Sequence, residues 1–243
     1  MSSREPVLPV SVLSLMVCVF GVTTGEMVIA GILPAVGGDL GVSIPAAGLL
    51  VTAYALGMIV GGPLLTAMTA GVARKLLLTV LLAVTIAGNL ASAAAPMYGV
   101  LFGARVVTAL VTSTFFANAI VIAASAAAPG KQASTVSKLA LGMNLSMIVG
   151  APLGTLIGTT FGWRSTFLSI AGVCVVGLLL VLRLVPAGQS TGRTSALAEL
   201  RAFRDREVQL AIAITAVANI GLSLWPASGS PPTQAPVPAR EGP

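Results

Sequence analysis

Ala55-Leu-Gly-Met-Ile-Val-Gly-Gly-Pro-Leu-Leu-Thr66 returns, slightly altered, as Asn144-Leu-Ser-Met-Ile-Val-Gly-Ala-Pro-Leu-Gly-Thr155. Eight of the twelve positions are identical, at an offset of 89 residues. Both copies lie inside long apolar runs. A repeat of this kind points to a duplicated structural unit. In an apolar chain, Gly- and Pro-interrupted segments at matching positions of two halves are the sequence mark of transporters.

Composition sets the solvent. Charged residues make up 8% of the 243-residue chain, against about 25% in a soluble domain. Mean hydropathy is +1.00. So little charge cannot cover a water-facing surface, so the surrounding medium must be lipid. In lipid, only helices or a closed barrel satisfy the backbone. The apolar runs are about 20 residues long and lack period-2 alternation, which favours helices. We therefore expect an all-α integral membrane fold. Its spans are placed at roughly 8–33, 46–66, 76–95, 98–124, 136–158 and 166–185, with a weaker seventh at 208–225. The domain reading is a six-helix bundle over 1–185, a cytoplasmic loop over 186–207, a partial seventh helix over 208–225 and a disordered Pro-rich tail over 226–243. Trp225–Pro243 holds six prolines in nineteen residues, which no apolar helix accommodates.

The basic residues set the orientation. With the N-terminus in the cytoplasm, the inner segments hold Arg4, Arg74, Lys75, Lys131, Lys138, Arg183, Arg193, Arg201, Arg204 and Arg206. The outer loops before span seven hold only Arg164. This bias predicts a multi-pass cell-membrane protein with its N-terminus inside. The net charge of +6 is thereby read as topology, and nucleic acid is not an expected partner. The two copies of the repeat then cross in opposite senses, so spans 1–3 and 4–6 form inverted three-helix repeats.

Two charges fall inside the expected hydrocarbon, Glu26 and Arg105. Each costs about 2.5–3.5 kcal/mol at the bilayer centre on insertion scales, so both are expected to face a bundle interior or a wet cavity. Pro34 is read as the outer end of span one and Pro96 as that of span four. This places both residues about 12–14 Å below the outer surface by helical rise, in the equivalent helices of the two repeats. A carboxylate poised between apolar burial and a guanidinium can exchange a proton or answer a substrate. Asn118, Asn144 and Thr112 are further cavity-lining candidates. Gly142, Gly150, Gly154 and Gly158 line one face of span five and read as a helix-packing motif, with Pro152 expected to kink that helix. There is no His, and the two cysteines, Cys18 and Cys174, lie far apart in apolar runs. No metal site, cofactor or disulfide is expected. No nucleophile–base pair, phosphate loop or carboxylate dyad emerges, which argues against an enzyme.

Four stretches carry a family resemblance: Gly25-Glu-Met-Val-Ile-Ala-Gly-Ile-Leu-Pro34 with Asp39-Leu40, Leu101-x-x-x-Arg105, Gly150-Ala-Pro-Leu-Gly154, and Phe161-Gly-Trp-Arg-Ser-Thr-Phe167. With them the chain resembles the N-terminal half of the major facilitator superfamily, in particular bacterial drug:proton antiporters of the chloramphenicol-resistance and arabinose-efflux-like type. The resemblance implies proton-driven efflux of a small hydrophobic drug, with chloramphenicol the named candidate. Glu26 would be the protonatable carboxylate, Arg105 would tune it, and spans one, two, four and five would line the cavity. Export of sugars or other small metabolites is the alternative substrate class. Two motifs depart from the family. Thr66-Ala67 replaces an acidic–basic pair before Arg74-Lys75, and Thr108-Ala109 follows Arg105 in place of Gln-Gly. The resemblance covers about residues 8–220 and stops inside span seven, the look of a truncated or frameshifted chain. A non-transporting remnant is therefore the rival reading. For an active protein, the expected partners are the bilayer, drug, protons, and either a second copy or a missing C-terminal half.

Overall fold

The computed structural model describes residues 10–69, 71–185, 206, 209–210 and 213–214. The regular elements among them are all helical, with no strand. That is what a chain must do where no water can pair with its backbone. α1 (Val10–Met27) and α2 (Ile29–Leu40) form the first crossing, and α3 (Ile44–Thr69), α4 (Arg74–Ala93) and α5 (Tyr98–Ser125) the next three. α6 (Gln132–Leu145), one π-helical turn (Ser146–Gly150) and α7 (Ala151–Phe161) make the fifth, and α8 (Trp163–Leu184) the sixth. Among the described residues, six helices are long and apolar enough to cross a membrane. Expected spans two to six agree with them to within four residues, whereas the first, expected to end at 33, ends as a span at Met27 and resumes as α2 to Leu40. The expected loop over 186–207, the seventh helix over 208–225 and the tail over 226–243 fall almost wholly outside the described residues. The few described between 206 and 214 are helical.

Pro34 does not end the first span. The helix breaks earlier, for one residue at Val28, and resumes through Pro34 to Leu40. It closes at Gly41, whose φ of +64° suits a residue without Cβ. The expected depth of Glu26 below Pro34 is therefore corrected, because the helix continues about 20 Å beyond Glu26 by its rise per residue. Proline has no N–H to return to the carbonyl four residues back, so Pro34 leaves Ala30 O without that bond. In the fifth crossing, where a kink at Pro152 was expected, the chain inserts the π turn. Ala151 N–H reaches back five residues to Ser146 O, and Pro152 opens α7.

The ends of the helices sort into two groups. At one end Lys75 Nζ donates to Leu182 O at 2.8 Å and Asn118 Nδ2 to Arg74 O at 2.8 Å. At the other, Tyr98 OH donates to Ala46 O at 2.6 Å, and Arg164 joins Asp39 and Ala95 O. Successive crossings thus alternate in direction. The contacts follow a two-fold pattern. Crossing four packs on two and three, crossing one packs on five and six, and three packs on six. Exchanging one with four, two with five and three with six leaves these five seams unchanged, whereas the contact between crossings five and six has no comparable match between two and three. The repeat in the sequence is thus an approximate symmetry of the main packing seams.

Crossings five and six are joined by Gly162 alone, at φ +89° and ψ +146°. That region is open essentially only to glycine. Gly162→Val is expected to cost about 1–3 kcal/mol and to loosen the α7–α8 hairpin. A drop in thermal stability of the detergent-solubilised protein is the readout, and an unchanged unfolding transition would contradict it.

Five buried hydroxyls are satisfied within their own helices. Thr24, Thr85, Ser92, Thr108 and Thr112 each donate to the carbonyl four residues earlier.

Candidate functional site

The π turn and the glycines of crossing five bring it against crossing one. Gly142 faces Met16 O, Gly150 faces Thr24 and Phe20, Gly154 faces Val28, and Gly158 faces Ile32 and Thr166. Crossing two meets crossing four in the same manner, with Gly57 against Ala109 and Gly61 against the backbone of Leu110. One seam thus holds crossing five on crossing one, with Gly154 against the break at Val28, and the other holds α3 on α5.

Arg105 is 1% exposed. Its Nη2 donates to Gly25 O at 3.0 Å. Its guanidinium lies 4.3 Å from the ring centroid of Tyr54 and 5.7 Å from that of Phe167. Tyr54 OH is 2.9 Å from Thr112 Oγ1. Glu26 is half-buried and lines a cleft of about 170 Å³ with Met27, Ala30, Val51, Tyr54 and Ala55. The only ion pair among the described residues is Asp39–Arg164, so Glu26 and Arg105 adjoin without forming one. The cation is instead bound to the carbonyl of the residue before Glu26. Arg105 Nε, Asn89 Oδ1 and Thr23 Oγ1 are buried without a hydrogen-bond partner. This gives the junction of α1, α4 and α5 polar capacity that the side chains there do not use.

The structure therefore brings Glu26, Arg105 and Thr112 into one cluster, with Thr112 joined through Tyr54. Asn118 and Asn144 lie elsewhere. Asn118 is about 20 Å along α5 from Arg105 by helical rise and ties α5 to the start of α4 at Arg74 O. Asn144 is exposed on α6. Tyr54 is the participant that sequence reasoning missed. It immediately precedes the first copy of the repeat and is one of only two tyrosines in the chain. A hydroxyl at mid-span needs a partner when buried, which was the available signal.

A second polar cluster lies where the first crossing ends and α8 begins. Asp39 accepts hydrogen bonds from Arg164 and from Trp163 Nε1, the latter at 3.1 Å. Arg164 also donates to Ala95 O at 3.0 Å and lies 4.3 Å above the Trp163 ring. α2, α4 and α8 are tied together there. The Arg164 and Trp163 hydrogen bonds hold the Asp39 carboxyl below its usual value. A depressed acid stabilises the fold above the ordinary carboxylate range and loses that contribution as pH falls through the folded value. Wild-type protein is expected to loosen on the acid side of about pH 4, and Asp39→Asn to lack that step. Thermal unfolding of both proteins across this range is the check, and matching acid profiles would count against the tie.

A family model described as Major Facilitator Superfamily matches residues 15–231. The chain is 38% identical over 203 residues to the inner membrane transport protein YdhP of Escherichia coli (strain K12), covering 84% of this chain and 52% of YdhP. It is 35% identical over 216 residues to the chloramphenicol resistance protein of Streptomyces lividans, covering 87% of this chain and 55% of that protein. Among solved structures it is similar in fold to a peptide transporter, POT, crystallised with sulfate. The TM-score is 0.66 at 16% identity, over 92% of this chain and 48% of that one. The chain spans about half the length of the curated relatives it matches.

Proposed function

Because the chain belongs to the Major Facilitator Superfamily, we propose that it is the six-helix N-terminal bundle of a proton-coupled exporter of a small hydrophobic compound. The observation that carries this reading is the placement of Arg105. It is held by Gly25 O and the Tyr54 ring, which leaves the Glu26 carboxylate facing a cleft with no ion-pair partner. In such a place a carboxylate can take a proton from one side and release it when a substrate or a conformational change alters its surroundings. Glu26 is the proton- and substrate-responsive group, and Arg105 sets the field around it. The energy source is the proton gradient, and no cofactor is required.

Chloramphenicol is the first substrate to try, on the strength of the Streptomyces lividans relative. The basic residues at the Arg74–Lys75–Arg183 end favour placing that end in the cytoplasm, with the N-terminus inside. Expression of this chain in a drug-sensitive bacterium, with membrane insertion verified, is expected to raise chloramphenicol tolerance. Collapse of the proton gradient should remove the gain. Inserted protein with no change in tolerance to chloramphenicol or to a panel of hydrophobic drugs would overturn the export reading for this chain.

A further inference from the structure

Tyr54 lies on the face of α3 that also carries Gly57 and Gly61, one and two turns further on. A Cβ on Gly57 would stand 2.7 Å from the Ala109 methyl, and one on Gly61 would enter the backbone of Leu110. Only bare backbone at both positions lets α3 approach α5 closely enough for the Tyr54 ring to reach Arg105. The ring is then oriented by its hydroxyl. Thr112 Oγ1 already donates its single proton to Thr108 O at 2.8 Å. It can therefore only accept from Tyr54 OH, at 2.9 Å. With that bond made, the ring presents a face to the guanidinium, 4.3 Å from the centroid. The same side chain lines the cleft beside Glu26.

The charged groups at this point are Glu26 from α1 and Arg105 from α5. Gly25, whose carbonyl holds Arg105, is the residue next to Glu26. The guanidinium thus reaches the backbone one residue from Glu26 and forms no ion pair with its carboxylate. We propose that Tyr54 is a positioning residue that holds the Arg105 guanidinium off the Glu26 carboxylate, keeping that carboxylate free for a proton or a donor group of the substrate. This rests on the reading of Glu26 as the coupling carboxylate and adds the device that keeps it available. The ring carries the role, and the hydroxyl only aims it.

A hydrophobic carbodiimide, dicyclohexylcarbodiimide, tests the arrangement without requiring transport, because it modifies neutral carboxyl groups in apolar surroundings. Labelling of Glu26 is followed by mass spectrometry on the full chain in lipid vesicles. Tyr54→Leu releases Arg105 to pair with Glu26, so labelling is expected to fall about tenfold or more. Tyr54→Phe keeps the ring and should label within about two-fold of wild type, as loss of a single hydrogen bond allows. Tyr54→Leu combined with Arg105→Gln should regain labelling, which also separates the effect from misfolding. Tyr54→Leu labelling at the wild-type rate would overturn the proposal, as would Tyr54→Phe falling as far as Tyr54→Leu, or a double variant that stays low. If the wild-type chain exports nothing while this labelling pattern holds, the export reading fails and the positioning role stands.

Discussion

If this chain exports drug as proposed, Glu26→Gln is expected to abolish the gain in tolerance while leaving the bundle folded. Among the described residues Glu26 is the one acidic residue within the six candidate spans, so no other carboxylate on these helices can take over its protons. Glutamine has nearly the same shape and fills the same wall of the cleft beside Tyr54 and Ala30, but it neither gains nor loses a proton. Arg105 is held by the Gly25 carbonyl and the Tyr54 ring, and none of these contacts involves the carboxylate. Removing a charge from hydrocarbon relieves a burden of about 2.5–3.5 kcal/mol on insertion scales. Stability should therefore stay level or rise while export falls to the level of cells carrying no gene. Tolerance in growing cells, proton-driven drug exchange in vesicles and thermal unfolding of the purified protein read the two halves of this expectation. Export that survives in Glu26→Gln would remove the carboxylate from the mechanism. Export lost together with folding would assign Glu26 to structure.

The spans were legible because a length of about 20 apolar residues is imposed by the bilayer itself, and the repeat was legible because its spacing is preserved. Local irregularities were less so. The break at Val28 has no Gly or Pro at the break itself. Pro34, six residues on, read as a stop although the helix runs through it. The π turn at Ser146–Gly150 could not be seen as such, but it absorbs the Pro152 signal and keeps Gly142 and Gly150 facing crossing one despite the wider turn. Glu26 and Arg105 stood out because charge in hydrocarbon is rare. Their meeting through a carbonyl and a tyrosine ring was hidden, because an aromatic at mid-span looks like packing until its neighbours are known. Asn118 shows the converse. A polar side chain within a span looked like a cavity group, and its amide is used to join α5 to the start of α4. Asp39 and Arg164 were each visible in the sequence, but a pairing across 125 residues depends on the hairpin that Gly162 permits.

The two copies of the repeat are expected to differ in their tolerance of a single added methyl group. Gly61 and Gly150 are equivalent positions, each in the middle of a helix that leans on the first helix of the other half. At Gly61 the new Cβ would meet the O, Cα and C of Leu110, which are backbone atoms inside α5 and cannot rotate away. At Gly150 it would meet Thr24 Oγ1 and the edge of the Phe20 ring, and both can yield by changing rotamer. Overpacking of a fitted seam costs about 1–3 kcal/mol. Gly61→Ala is therefore expected at the upper end of that range and Gly150→Ala at the lower, with Gly61→Leu separating α3 from α5 altogether. Separation has a second consequence. It withdraws Tyr54 from Arg105 and Thr112, so Gly61 variants should lose export more steeply than their stability alone would explain. Unfolding in detergent, with tolerance measured alongside, gives both readings. Equal losses at the two glycines would mean that the α3–α5 seam has the same give as the seam between α1 and the π turn. In that case the contrast between rigid backbone at one copy and yielding side chains at the other would not govern how the bundle responds.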